Sequence, residues 1–162
     1  MEKSSLKPGH LRRIKSLALF NDTQLQTFLD YVDVVNCERS GTLFREGQAG
    51  DSMYLILDGQ MRIYTKRKGG EIVMLRMLEA GDAFGEVALL NKAPRSASAE
   101  AVRDTILIKI SAASLKKLVS DEPALAAQFL YHQARTLGRQ LTDLTTKVRA
   151  LRDNADMVSF LQ

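Results

Sequence analysis

The spacing of apolar and polar positions divides the chain into three zones. Residues 1–36 carry apolar side chains at helical spacing, over residues 6–18 and again after a helix-start signal at Asn21-Asp22-Thr23. Residues 37–111 instead show short β-branched and apolar runs separated by glycines, a pattern typical of strands. Residues 112–162 return to helical spacing. This order predicts an α+β fold with N-terminal helices, a β core and a long C-terminal helix.

The middle zone predicts an antiparallel β jelly roll or barrel. Eight of the ten glycines fall there, and Asp58-Gly59 and Gly69-Gly70 are hairpin turn signals. The predicted strands cover residues 52–57, 60–65, 71–78, 97–102 and 105–110. Many short strands joined by tight turns favour a small barrel whose edges are closed or covered.

The final zone predicts a long helix that associates with a second copy. Asp121 and Glu122 precede Pro123, a favourable first helical residue, and no proline follows. Seven apolar residues then alternate spacings of four and three: Leu130, Ala134, Leu137, Leu141, Leu144, Val148 and Leu151. This 3.5-residue period is that of a coiled-coil seam and favours a homodimer through residues 124–155. A helix packed on its own barrel is the alternative.

Charged residues are unevenly distributed along the chain. The net charge of +4 suggests an acidic partner such as nucleic acid, but residues 21–132 carry 13 basic and 15 acidic side chains. The basic excess lies at the two ends.

No stretch has the roughly 18 apolar residues that span a bilayer, and the first residues lack the apolar core of a secretory signal. We predict a cytoplasmic protein without stable membrane insertion; the basic segment 6–18 either packs on the next domain or lies on a membrane surface.

Catalytic and metal sites are not predicted. Cys37 is the only cysteine, and the two histidines, His10 and His132, lie in predicted helices without metal-ligand spacing. The sequence offers no Ser/His/acid set and no metal cluster that a phosphodiesterase would need. We therefore expect a protein that is not an enzyme and that carries no metal or cofactor.

The segment 81–99 carries the recognisable chemistry. Gly85 lets the backbone approach a ligand, and the amides near Val87 and Ala88 could donate to an anion. Arg95 adds a planar cation that matches two phosphate oxygens, while Ser96 supplies a hydroxyl. Other candidate groups are the Ala97 amide and the Glu86 carboxylate, which suits a sugar hydroxyl. Together these groups predict a ribose phosphate ligand.

This segment resembles the phosphate-binding cassette of cyclic nucleotide-binding domains. The matching residues are Phe84-Gly85-Glu86-Val87-Ala88-Leu89-Leu90 and Pro94-Arg95-Ser96-Ala97. The resemblance extends over about residues 14–152, and the last helix is most similar to that of catabolite-activator-type regulators. It implies domains at 1–36 (helical), 37–111 (β core with the cassette at 84–97) and 112–162 (hinge and lid or dimerisation helix).

The resemblance also implies roles. Arg95 would pair with the cyclic phosphate and Glu86 with the ribose 2′-hydroxyl, while Ser96 would bind phosphate or the base edge. Gly85, Val87, Ala88 and Ala97 would line the phosphate and ribose. Ile63 and Leu75 would sit against the base, and the final helix would close over it, with Arg135, Arg139 and Gln140 as candidate contacts. Ser96 is compatible with both nucleotides and inclines the prediction toward cAMP, with cGMP as the alternative.

The expected output is a change in the position of the final helix on ligand binding, which signals to a separate, unidentified protein. Eleven residues follow Leu151, too few for a helix-turn-helix domain, so we do not expect DNA binding. Two alternatives stay open: the chain is the sensor part of a larger transcription regulator or effector, or it is an interaction module without a ligand.

Overall fold

The computed structural model describes the backbone of residues 1–160 and the side chains of residues 1–152. The chain divides into two compact units, Met1–Ala126 and Ala127–Gln162. The first unit holds the β core and the shorter helices, and the second holds most of a long helix.

Helices and strands follow the predicted order along the chain. The helices are α1 (Pro8–Leu11), α2 (Asp22–Leu29), α3 (Glu86–Asn91), α4 (Ala112–Asp121) and α5 (Pro123–Phe160). The strands are β1 (Asp33–Cys37), β2 (Thr42–Phe44), β3 (Ser52–Asp58), β4 (Gln60–Lys66), β5 (Ile72–Glu79), β6 (Ala83–Phe84), β7 (Ser98–Ala101) and β8 (Thr105–Ser111). A short 3₁₀ turn at Lys3–Ser5 precedes them.

Two four-stranded antiparallel sheets form the β core. Their strand orders are β1-β8-β3-β6 and β2-β7-β4-β5, which confirms the predicted α+β jelly roll. The five predicted strands correspond to β3, β4, β5, β7 and β8, with bounds that differ by one residue or less at each end. Strands β1, β2 and β6 were not predicted, and β1 already begins at Asp33, ahead of the predicted boundary at residue 37.

The inner faces of the two sheets share one apolar core. Met61 and Leu78 face each other across the β4–β5 hairpin and are both buried. The buried cluster that joins the two sheets comprises Tyr54, Ile56, Met61, Leu78, Phe84, Ala99, Ala101 and Leu107. Burial of this apolar surface is the main term that holds the sheets together.

The predicted helix over residues 6–18 is wrong in extent. Only Pro8–Leu11 is α-helical, and the chain then continues in successive three-residue turns. The amides of Ile14, Leu17 and Phe20 each donate to the carbonyl three residues earlier, and these side chains are buried. Side chains three residues apart lie on one face of a 3₁₀-type chain. The apolar spacing in the sequence therefore does not distinguish such a chain from an α-helix. By contrast, α2 begins as predicted, with Asn21 accepting from the Gln24 amide.

The long helix α5 begins at the predicted Pro123. Within the second unit, Leu141, Leu144, Val148 and Leu151 are exposed by 56–70%. Leu130 and Leu137 are half-buried, and Ala134 is exposed. The predicted dimer segment 124–155 reaches past residue 152, where side chains lie outside the described residues.

None of the helices in the described part of the chain is long and apolar enough to cross a bilayer.

Candidate ligand-binding site

All nine residues predicted for the phosphate, ribose and base positions line a single cavity in the first unit. The cavity has a volume of about 200 Å³ and opens to solvent. The predicted residues in its lining are Ile63, Leu75, Gly85, Glu86, Val87, Ala88, Arg95, Ser96 and Ala97. Phe44, Phe84 and Arg76 complete the lining, and the sequence did not predict a role for them.

The turn at Gly85 requires a glycine. It joins β6 to α3 with a φ of +84°, in the left-handed region. A β-carbon there would lie 2.8 Å from Arg95 Nη1 and 3.2 Å from the Ser52 carbonyl oxygen. The glycine therefore allows the turn to approach both the arginine and strand β3.

Arg95 is the buried cation of the site, with 5% of its surface exposed. Its Nη1 donates to the Ser52 carbonyl at 2.7 Å and to the Gly85 carbonyl at 3.3 Å. Burial lowers the pKa of Arg95 from its ordinary value, but a guanidinium keeps its charge in proteins. Its Nε is buried without a hydrogen-bond partner among the described residues. The site thus presents a fixed positive charge with donor capacity left for an anion.

Aromatic rings support the guanidinium of Arg95. Its central carbon lies 4.1 Å from the centroid of the Phe44 ring and 5.6 Å from that of Tyr54. Phe84 stacks on Tyr54 at 5.5 Å between centroids. Contacts between a guanidinium and aromatic faces are favourable, especially where water is excluded. On another side, Gly50 leaves room for Arg95, since a β-carbon there would lie 2.6 Å from Nε.

Glu86 provides an acceptor in the same cavity. Its Oε2 is buried and has no hydrogen-bond partner among the described residues. A carboxylate only accepts hydrogen bonds, and a buried oxygen without a donor is costly. A ligand hydroxyl would satisfy this oxygen.

The remaining predicted residues shape the walls. Ala88 and Ala97 are buried, whereas Val87 and Ser96 are exposed at the cavity surface. Ile63 on β4 is half-buried, and 51% of the surface of Leu75 on β5 is exposed. These last two residues give the cavity an apolar wall formed by the β4–β5 hairpin.

A bulge in β5 brings Arg76 to this wall. Ile63 pairs with Arg76 while Tyr64 pairs with Met74, so Leu75 has no direct partner on β4. Consecutive residues of a regular strand point to opposite faces, but a bulge re-aims one of them. Leu75 and Arg76 consequently both line the cavity. A regular strand would place only one of Leu75 and Arg76 in the cavity. The sequence pattern therefore does not predict Arg76 as a lining residue.

The three predicted lid residues, Arg135, Arg139 and Gln140, all lie on α5 in the second unit. The Arg135 guanidinium carbon lies 5.8 Å from the centroid of the Tyr131 ring. Their lid role stays a prediction.

No group of three potential metal ligands occurs among the described residues.

Comparison with known proteins finds matches to one family of domains. The model of the family described as cyclic nucleotide-binding domain matches residues 34–122. The chain is 29% identical over 110 residues to a CRP-like cAMP-activated global transcriptional regulator of Mycobacterium tuberculosis, covering 68% of this chain and 49% of that protein. It is 31% identical over 111 residues to a cGMP-dependent protein kinase of Toxoplasma gondii, covering 68% and 11%.

A solved structure shows the same fold. The catabolite activator protein of Thermus thermophilus superposes with a TM-score of 0.74 at 28% identity, covering 85% of this chain and 62% of that one. This chain spans about half of the length of the bacterial regulator it matches and a smaller part of the kinase.

Proposed function

This chain belongs to the cyclic nucleotide-binding domain family, and we propose that it is a non-enzymatic sensor whose ligand is a purine 3′,5′-cyclic monophosphate. The observation that carries this proposal is the pairing of two complementary groups in one cavity. Arg95 is a buried cation with an unpartnered Nε, and Glu86 has a buried, unpartnered Oε2 among the described residues. A cyclic nucleotide supplies an anion for the first and a hydroxyl for the second.

The phosphate belongs at Arg95. Two of the contacts made by its guanidinium are to backbone carbonyls, which orient the planar group without neutralising it. Charge-assisted hydrogen bonds from an oriented guanidinium to phosphate oxygens are among the stronger polar contacts in proteins. The small side chains of Ala88 and Ala97 leave space beside it.

The ribose belongs at Glu86. Its carboxylate accepts from the 2′-hydroxyl, which only a ribonucleotide carries. Since the 3′ and 5′ oxygens of the ligand are both esterified to phosphorus, the 2′-hydroxyl is the remaining sugar donor. The base then lies along the apolar wall of Ile63 and Leu75.

Signalling by the protein follows from movement of its helices. We propose that ligand binding shifts the cassette and the hinge at residues 111–121, and that α5 acts as lid, dimerisation helix and output element. The exposed apolar seam of α5 supports a homodimer. The output reaches either a separate cytoplasmic partner or a further effector domain, since the matched regulator is longer than this chain.

The identity of the base is a separate question. Ser96 inclined the sequence prediction toward cAMP, and the matched bacterial regulator is named for cAMP activation. The matched kinase is named for cGMP. The two relatives therefore leave the choice between adenine and guanine to the residues of this cavity.

Calorimetric titration with cAMP and cGMP tests the proposal. We expect wild-type protein to bind at least one of them and not 5′-AMP, and we expect Arg95→Lys to weaken binding by about tenfold or more because the planar fork is lost. Arg62→Lys is the matched control, because Arg62 is a half-buried arginine that pairs with Glu100 and is not part of the cavity lining. Its affinity should equal that of wild type.

A second arm tests the ribose contact independently of Arg95. The 2′-deoxy analogue should bind wild type more weakly than the parent nucleotide, and Glu86→Ala should remove that difference. If wild type binds neither cyclic nucleotide, the sensor proposal fails and the interaction module without a ligand is favoured.

A further inference from the structure

A second pocket, with a volume of about 270 Å³, opens on the sheet β2-β7-β4-β5. Its lining consists of Arg45, Glu46, Tyr64, Lys66 and Ser98. Tyr64 on β4 is paired with Ser98 on β7, and residues directly opposite each other point to the same face of a sheet. Lys66 comes two residues after Tyr64 and lies on that face as well.

This outer pocket lies behind the cavity that we assign to the nucleotide. Successive residues of a strand point to opposite faces of the sheet. Three residues of the outer pocket each follow a cavity residue in the chain: Arg45 follows Phe44, Tyr64 follows Ile63, and Ser98 follows Ala97. Among the described residues, the two linings have none in common. The outer pocket is therefore a separate site on the opposite face of the same sheet.

The outer pocket offers hydrogen-bond donors that the protein does not use. In the described part of the chain, Arg45 and Lys66 form no ion pair. The hydroxyl of Tyr64 makes no hydrogen bond there either, although only 4% of this residue is exposed. Ser98 is also buried, and its Oγ accepts from the Glu46 amide at 3.0 Å, which leaves the hydroxyl proton available. Two cations and two hydroxyls in one pocket favour an anionic ligand.

Glu46 restricts which anion this pocket accepts. Its Oε2 accepts a hydrogen bond from Thr65 Oγ1, and the other oxygen of the carboxylate keeps its acceptor capacity. A carboxylate repels a fully ionised oxyanion, but it accepts a hydrogen bond from one that still carries a proton. At neutral pH inorganic phosphate carries such a proton and sulfate does not. A phosphate monoester has largely lost its last proton by then, because the pKa of that proton is about 6.

We infer that the outer pocket binds inorganic hydrogen phosphate, as a second ligand of this protein. The ionised oxygens accept hydrogen bonds from Arg45, Lys66 and Tyr64, and the planar guanidinium suits two of these oxygens. The protonated oxygen donates to Glu46. This combination of donors and one acceptor selects phosphate by its proton as well as by its charge.

Phosphate in the outer pocket should also raise the affinity of the nucleotide cavity, an effect that rests on the proposed cyclic nucleotide function. The Gly47 amide donates to the Arg95 carbonyl, and the Arg95 amide donates to the Gln48 carbonyl, each at 2.8 Å. The segment that follows Arg45 and Glu46 is thus hydrogen-bonded to the backbone of the cavity arginine. An anion held by Arg45 and Glu46 restrains this segment. Because coupling between two sites is reciprocal, each ligand should strengthen the binding of the other by the same factor.

Amide NMR spectra recorded during a titration with sodium phosphate at pH 7 test the site residue by residue. We expect the signals of Tyr64 and Ser98 to shift to saturation in wild type and in Arg95→Gln, which removes the cation of the nucleotide cavity. Lys66→Gln should weaken phosphate binding by about tenfold or more, because charge-assisted hydrogen bonds are the stronger polar contacts. Lys68→Gln removes an exposed lysine of the same hairpin outside the pocket lining and should bind phosphate as wild type does.

Sulfate and glycerol phosphate distinguish a specific site from a general attraction of anions to two cations. Wild type should bind inorganic phosphate about tenfold more tightly than either, since only inorganic phosphate supplies a proton to Glu46. Glu46→Gln should remove this preference, because an amide also donates hydrogen bonds. Equal binding of phosphate and sulfate by wild type would overturn the inference. So would loss of the Tyr64 and Ser98 shifts in Arg95→Gln, which would place the phosphate in the nucleotide cavity.

Calorimetric titration with cAMP and cGMP, with and without phosphate, measures the coupling. In wild type we expect phosphate to raise nucleotide affinity by at least about fivefold, and in Lys66→Gln we expect no such rise. An unchanged or lowered affinity in wild type would overturn the coupling. Failure of wild type to bind either nucleotide would overturn the sensor proposal, and the NMR titration would still decide whether the outer pocket binds phosphate.

Discussion

The guanidinium carbon of Arg95 lies 4.1 Å from the centroid of the Phe44 ring. Phe44 is the last residue of β2, whereas Arg95 lies in the loop that follows α3. The contact thus joins an edge strand to the loop that carries Arg95. Because Phe44 was absent from the residues predicted to form the site, its substitution gives an independent test of the geometry.

Phe44→Leu should weaken nucleotide binding about fivefold while the protein still folds. Leucine keeps an apolar side chain but removes the ring face, and a partly desolvated cation–π contact is worth about 1 kcal/mol. Calorimetry measures the affinity, and urea unfolding measures the stability. Phe28→Leu is the control, because Phe28 is buried in α2 outside the cavity lining and should lose stability without losing affinity. An unchanged affinity in Phe44→Leu would contradict a supporting role for the ring.

Gly85→Ala should reduce ligand affinity by more than tenfold and lower the free energy of unfolding. The left-handed φ costs a non-glycine residue about 1 kcal/mol or more, and the new β-carbon would lie 2.8 Å from Arg95 Nη1. Gly69→Ala separates these effects, because Gly69 has a φ of +114° and a β-carbon added there would meet no heavy atom within 4 Å. This control should show the backbone cost alone. Equal affinities of the two variants would argue against Arg95 as the ligand contact.

Leu144→Lys should convert the dimer to a monomer. Leu144 lies in the exposed apolar seam of α5, with 58% of its surface accessible. Burying a leucine contributes about 1.5–3 kcal/mol, so two copies of the substitution should weaken the dimer by at least about 100-fold. Light scattering distinguishes a particle of 18.0 kDa from one of twice that mass. Thr145→Lys, next to the seam and equally charged, should stay dimeric; a monomeric wild type would disprove the coiled-coil interpretation.

Cys37 should react slowly with a thiol reagent while the protein is folded. Burial raises the pKa of its thiol, and Sγ donates to the Gly41 carbonyl at 3.3 Å. The unfolded chain therefore loses its thiol proton first as pH rises. The contribution of this group to stability is intact below the unfolded thiol pKa of about 8.5 and is lost as pH rises toward the higher folded pKa.

Reaction with a chromogenic disulfide at pH 8 measures this effect, and no second cysteine in the chain complicates the signal. We expect the rate to rise about tenfold or more in denaturing urea. Cys37→Ala should show a smaller loss of stability between pH 7.5 and pH 9.5, a range about one unit either side of the ordinary thiol pKa. Equal labelling rates in the folded and unfolded protein would contradict the raised pKa.

Much of the fold and site could be predicted because local signals agreed with tertiary structure. Gly69-Gly70 marks the β4–β5 hairpin, where Gly69 has a φ of +114°. The hairpin predicted at Asp58-Gly59 is wrong, because that turn leads from β3 in one sheet to β4 in the other. The matched residues between Phe84 and Ala97 lie in one register, and the structure brings most of them to one cavity. Such signals are local, since each depends on a few consecutive residues.

The features that escaped prediction depend on non-local pairing. Strand β2 is three residues long and owes its extended form to pairing with β7. The orientation of Arg76 follows from a bulge that exists only in the pairing of β4 with β5. The spacing of Ile14 and Leu17 is compatible with both an α-helix and three-residue turns, and packing on the rest of the first unit decides between them.

The two backbone carbonyls that hold Arg95 have a consequence for the free energy of anion binding. Since Ser52 and Gly85 contribute main-chain oxygens, the protein itself orients the cation, whatever lies in the cavity. The entropic cost of ordering this long side chain, about 2 kcal/mol, is therefore met during folding rather than at each encounter with a ligand. Such preorganisation strengthens the binding of an anion at Arg95. No side-chain substitution at Ser52 would remove the anchoring oxygen.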